Sequence, residues 1–197
     1  MLLMPDGLID TKAKVDNSLP LFRLAFRPLF WLGALFSVIS IGLWALSFTG
    51  KLVFNPYGGG HFWHVHEMLF GFATAIIAGF LLTAVQTWTK VPSIKGPTLM
   101  LLVAIWLLAR IGLALPQYLP LELTILFDLS FLPLSALFLA RPILKVKQWR
   151  NLIFVPIMLV MAVLNGLMHL SILGKLSLSY LHLSHIMVMM VALVMCI

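Results

Sequence analysis

The chain has 197 residues, of which 62% are hydrophobic and only 10% charged, and its mean hydropathy is +1.09. A soluble domain of this size cannot hide that much apolar surface, so the solvent is largely lipid. The net charge of +7 does not point to nucleic acid, because the basic residues stand between apolar runs and not on one face of a water-soluble fold. A single cysteine, Cys196, excludes an intrachain disulfide, and there is no Cys-x-x-Cys-His run.

Residues 1–27 carry Asp6, Asp10 and Asp16 among Lys12, Lys14, Arg23 and Arg27, and the apolar run that follows is too long for a signal peptide. They read as an amino-terminal arm ahead of a bundle over 28–197. A helix needs about 20 apolar residues to cross a bilayer, and six runs of that order follow. They are Pro28–Thr49, Phe62–Trp88, Thr98–Leu115, Leu121–Ala140, Leu152–Leu173 and Ser177–Ile197. The fold class is therefore all-α, a polytopic transmembrane bundle of about six helices, with short connections that make neighbours antiparallel. Trp63, Trp88, Trp106 and Trp149 mostly stand near the ends of these runs and are assigned to an aromatic belt at the interfaces.

Orientation follows from the loops. Lys and Arg concentrate in the arm, after the second run (Lys90, Lys95) and after the fourth (Arg141, Lys145, Lys147, Arg150). The opposite side holds only Lys51 and Lys175, with Arg110 near the outer end of the third run. The positive-inside rule places the arm in the cytoplasm of a cell whose inner membrane holds the bundle. The last run reaches Ile197 without a basic flank, which reads as an interrupted chain.

In this orientation all six histidines lie toward the non-cytoplasmic side: His61, His64 and His66 open the second run, His169 closes the fifth, and His182 and His185 open the sixth. Residues three, four and seven apart share a helix face, so His182, His185 and Met189 form one stripe and His64 aligns with Glu67. The second stripe continues through Gly71, Ala75 and Gly79, small residues suited to close helix packing. Asn165 lies one turn from His169 and can orient its imidazole. Arg110, Asp128 and Glu67 are ionisable groups inside apolar helices, and Arg110 and Asp128 lie at depths a long side chain can bridge.

Imidazole suits copper, iron and zinc, and thioether sulfur favours cuprous copper. A His-rich, Met-bordered site in lipid points to haem or copper, and spacing does not choose between them. His64, His169, His182 and His185 are the candidate haem ligands; His64, His66, Glu67, His169, His182 and His185 are the candidate metal ligands. Asn165, Arg110, Asp128 and Met189 are candidate supporting groups. The expectation is that His64, Glu67, His169, His182 and His185 converge on one outward pocket. The glycine loop, His-Glu-x-x-His and nucleophile-elbow motifs are all absent, so nucleotide-driven transport, zinc proteolysis and serine hydrolysis have no support.

Three segments carry a resemblance: FRLAFRPLF at Phe22–Phe30, HVHEMLFGFATAIIAGFLLTAVQTWT at His64–Thr89 and LHLSHIMVMM at Leu181–Met190. The chain resembles the NnrS family of bacterial polytopic membrane proteins. The resemblance implies haem and copper as cofactors, a role in the response to nitric oxide, and a longer family protein of which this chain is an amino-terminal half. The expected partners are the bilayer, nitric oxide as a ligand and the remaining half of the chain, with no nucleic acid. Two other functions use the same residues: a b-type cytochrome-like electron-transfer subunit, and a metal-free proton-coupled transporter with Glu67, Arg110, Asp128 and histidines as a relay. Whether the protein turns over a substrate is left open.

Overall fold

The computed structural model describes residues 19–197, and among them every regular element is helical. Most of the expected arm lies outside the described residues. A 3-10 turn at Pro20–Phe22 leads into a first helix at Phe26–Phe48, a second at Gly59–Thr89 and a third at Pro97–Ala114. The fourth helix is Leu121–Val146, the fifth Phe154–Ile172 after a 3-10 turn at Trp149–Ile153, and the sixth Tyr180–Cys196. The first five are long and apolar enough to cross a membrane, while the sixth has 17 residues.

Local chemistry sets the ends. Pro97 opens the third helix, where its missing N–H costs nothing, and Pro120 precedes the fourth. Ser179 caps the sixth, its hydroxyl accepting from the Leu181 N–H at 3.3 Å. The second and fourth helices close on lysines in the left-handed region, Lys90 and Lys147, each at φ 56°. The fourth helix outruns the expected end at Ala140 and continues through Arg141, Pro142 and Lys145. Charge ends an apolar run but not a hydrogen-bonded helix, which can go on past the hydrocarbon into water.

The second helix is the centre of the bundle, packed against the first, third, fourth and sixth. It buries 56% of its most apolar stretch, against 17% for the first helix. The small-residue stripe explains the close approach of these two. Ala75 is fully buried, and a methyl group added at Gly79 would stand 3.1 Å from Leu29 and Phe30 of the first helix. The third and fourth helices meet as closely: a Cβ at Gly112 would fall 2.3 Å from the Thr124 hydroxyl. That contact sits near the level of Arg110 and Asp128, and it brings the two charged side chains within reach of each other.

The aromatic belt needs correction. Trp63 and Trp106 are each 1% exposed and belong to the core. Trp63 lies near the start of its run but inside the bundle, and Trp106 lies in the middle of the third helix, on the face that packs against the second. Trp149, by contrast, is exposed, and Trp88 is partly buried, stacked on Phe154.

Candidate metal centre

The α-helical hydrogen-bond pattern of the second helix gives way to a π-helical stretch at Glu67–Ala73. Such widened turns cost hydrogen-bond geometry and occur often at functional sites. Here the wide turn is braced from outside, since the Trp106 indole N–H donates to the Gly71 carbonyl at 3.0 Å. Gly71 also has no room for a side chain: a Cβ would lie 2.7 Å from the Phe36 ring and 2.8 Å from Glu67 Oε2. The stretch thereby fixes Glu67, fully buried, beside the guanidinium of Arg110.

From there a closed polar network spans four helices. Arg110 Nη1 donates to Glu67 Oε1 at 2.9 Å and Oε2 at 3.0 Å, and its Nη2 donates to Asp128 Oδ1. The other Asp128 oxygen, Oδ2, accepts from Asn165 Nδ2 at 2.7 Å and lies 2.9 Å from His169 Nε2 and 3.3 Å from His66 Nε2. His66 Nδ1 faces Glu67 Oε1 at 3.1 Å, and His66 Nε2 faces Asn165 Oδ1 at 2.9 Å. His169 Nδ1 meets the Tyr57 hydroxyl at 3.4 Å. His66, Glu67, Arg110, Asp128, Asn165 and His169 are each no more than 3% exposed. Tyr57, in the loop before the second helix, is 9% exposed, and burial pushes its phenol up to about 12.

With both carboxylates ionised, the network holds more negative than positive charge. Two carboxylates face one guanidinium, leaving one negative charge in excess in a medium where an uncompensated charge costs several kcal/mol. The hydrogen-bond directions give the same result independently. If His66 carries its proton on Nδ1 and donates to Glu67, the bare Nε2 faces two acceptor oxygens, Asn165 Oδ1 and Asp128 Oδ2. If the proton is on Nε2, the bare Nδ1 faces Glu67 Oε1. Exchanging the oxygen and nitrogen of Asn165 only moves the conflict, because its oxygen would then oppose Asp128 Oδ2 at 2.7 Å. A second proton on His66, a proton on Glu67 donated to His66 Nδ1, or a metal ion between the lone pairs each resolves both problems.

The geometry can accommodate an ion of the size proteins hold with imidazole and carboxylate. His66, Asp128 and His169 each offer a donor atom, all within 4.8 Å of one another. Tetrahedral ligands at about 2.1 Å from a metal stand roughly 3.4 Å apart, close to the 2.9 and 3.3 Å separations of the two Nε2 atoms from Asp128 Oδ2. The far nitrogen of each ring already has a partner, Glu67 or Tyr57, as ligating histidines generally do. Two imidazoles and one carboxylate suit iron(II), zinc or copper(II) better than cuprous copper. A porphyrin does not fit between these two rings, because the Asp128 carboxylate occupies the point on which both Nε2 atoms converge.

The sequence-derived residues divide accordingly. His66, Glu67, His169, Arg110, Asp128 and Asn165 are brought together; His64, His182, His185 and Met189 are not. His64 is half-buried, its ring stacked at 4.3 Å on Trp44 of the first helix. His182 and His185 are exposed, and so is Met189 at 66%. The expected convergence on a single pocket therefore holds for Glu67 and His169 and fails for His64, His182 and His185. The alignment of His64 with Glu67 assumed that only one face of the second helix is buried, whereas at this depth neighbours on two faces are enclosed and His66 meets Glu67 directly. Asn165 orients His66 and Asp128 and makes no bond to His169, the partner expected from spacing. Tyr57 was missed; nothing but its place ahead of three glycines marks it in the sequence. His61 stays outside the network, its Nδ1 3.0 Å from the Tyr180 hydroxyl.

The family model described as NnrS protein matches residues 20–197, nearly the whole chain, which therefore belongs to the NnrS family. No curated protein and no solved structure matches it.

Proposed function

We propose that this member of the NnrS family is a multi-pass protein of the bacterial inner membrane, with its amino terminus cytoplasmic, that holds a metal ion at His66, Asp128 and His169 and acts in protection from nitric oxide. The observation that carries this reading is the convergence of two buried Nε2 atoms and a carboxylate oxygen, where neither neutral tautomer of His66 satisfies both ionised carboxylates and Asn165. Family membership supplies the expectation of haem and copper and the link to nitric oxide. The donor set fits a single ion such as copper(II) and not a porphyrin at this pair of rings.

A bound ion there would offer a coordination position to a small diatomic ligand. The chain's own residues do the rest. Arg110 holds both carboxylates in place, Glu67 fixes the tautomer of His66 so that Nε2 faces the centre, and Tyr57 does the same for His169. Phe62 and Phe70 pack on the His66 ring at 5.5 and 5.1 Å between centroids, keeping bulk water away from it. The test is complementation. A strain lacking the gene and challenged with a nitric oxide donor should regain growth with the wild-type protein but not with Asp128→Asn expressed in the membrane at the same level. Full rescue by Asp128→Asn would remove this centre from the protective role.

A second reading rests on the same cluster. If a proton balances its charge, Glu67, His66, Asp128 and His169 form a buried relay of the kind used in proton-coupled carriers. Metal content of the purified protein separates the two.

A further inference from the structure

The buried cluster lies close to one end of the bundle. His66 stands roughly 10 Å along the second helix from its start at Gly59, and roughly 35 Å from its other end at Thr89. One turn outward from His66 is Phe62, 2% exposed, whose ring stacks on the His66 imidazole at 5.5 Å. Its other neighbours all belong to that near end. Tyr57 of the loop before the helix meets it edge-on at 5.7 Å and 82°, and Tyr180, the first residue of the sixth helix, does so at 5.2 Å and 84°. Gly58, at φ 73°, presses the loop down on the same ring: a Cβ there would strike Phe62 and stand 3.0 Å from Ile172 at the end of the fifth helix.

Both phenol hydroxyls are directed elsewhere. Tyr57 Oη lies 3.4 Å from His169 Nδ1, and Tyr180 Oη lies 3.0 Å from Nδ1 of the exposed His61. Phe62 is thus enclosed by ring edges, with water-facing groups beyond it and the cluster behind it. A hydrated ion passing it would lose its water with no polar partner in exchange, which is costly, while an uncharged molecule of a few atoms has no such penalty.

We propose that Phe62 is the specificity-determining residue of the centre, its ring closing the shortest way in so that small uncharged molecules pass and larger or hydrated solutes do not. This rests on the reading of His66 and His169 as ligands of an ion that takes up an external molecule.

The probe is diethylpyrocarbonate, which modifies imidazole nitrogen and needs no bound metal, so the closure is measured separately from metal binding. The detergent-purified full chain is labelled as purified and after dialysis against EDTA, which separates shielding by an ion from shielding by Phe62, and sites are mapped by mass spectrometry. After dialysis, wild-type His66 and His169 should react at least about tenfold more slowly than the exposed His182 and His185. Phe62→Ala should raise the His66 and His169 rates about tenfold and leave the half-buried His64 unchanged, while Phe62→Leu, which keeps most of the bulk, should stay within about threefold of wild type. Tyr180→Phe removes only the hydroxyl held at His61 and should give a smaller rise at His66; it carries the test if Phe62→Ala does not fold. Wild-type His66 reacting as fast as His182, unchanged His66 and His169 rates in Phe62→Ala or Tyr180→Phe, a Phe62→Leu protein as open as Phe62→Ala, or a rise that takes His64 with it as in general loosening would overturn the assignment.

Discussion

Replacing Arg110 with methionine tests whether the buried network is held by charge or merely tolerated. The substitution keeps most of the side-chain volume but removes the cation that donates to both Glu67 oxygens and to Asp128. Two carboxylates would then stand in the core with one compensating cation or none. Breaking a buried ion pair by removing one partner costs about 3–5 kcal/mol, and the low exposure of all three groups places this case at the upper part of that range. The same reasoning predicts partial rescue. Glu67→Gln added to Arg110→Met removes one of the stranded charges while keeping shape, and should recover about 2 kcal/mol of the loss. Equilibrium unfolding in mixed detergent micelles measures both. An Arg110→Met protein within about 1 kcal/mol of wild type, or a double variant no more stable than the single, would refute the charge argument.

Gly71→Ala should cost about 1–3 kcal/mol and weaken metal binding, because the new methyl meets Phe36 and Glu67 Oε2; Gly42→Ala, with nothing within 4 Å, should be neutral or slightly stabilising in the same unfolding assay. Tyr57→Phe should lower metal affinity about tenfold in a chelator competition, as loss of a partner to a ligating histidine generally does. The Tyr57 phenol, raised by burial to about 12, contributes stability that is present below its ordinary value near 10 and lost as pH rises toward 12. Alkaline unfolding of Tyr57→Phe should therefore be less steep than wild type across that window, and identical profiles would count against the buried phenol. His182→Ala with His185→Ala should leave both metal content and stability unchanged, since both side chains are exposed.

Much of this protein was legible in its residues. Hydropathy located all six helices, because apolar length is what a bilayer demands of sequence, and the Gly71, Ala75 and Gly79 stripe marked the face that packs on the first helix. Arg110 and Asp128 stood out as charges that lipid would not accept unpaired, and they meet. What periodicity could not resolve was phase around a central helix. Spacing of three selected His64 as the partner of Glu67, but a helix enclosed on several sides has no single inward face, and its π-helical stretch breaks the regular 100° step. The same blindness sent Trp106 to an interface when it in fact braces Gly71. The Tyr57 contact joins a loop to the fifth helix across 112 positions, which no local pattern encodes.

Metal content of the purified protein tests the centre at His66, Asp128 and His169 most directly. Elemental analysis, with X-ray absorption at the edge of the metal found, should give about one ion per chain with nitrogen and oxygen neighbours and the scattering of two imidazoles. That ion should be lost when His66 and His169 are both replaced by glutamine in a protein that still inserts and folds. A wild-type chain free of metal, or a double variant that keeps its ion with the same absorption spectrum, would contradict the assignment of the centre to His66, Asp128 and His169.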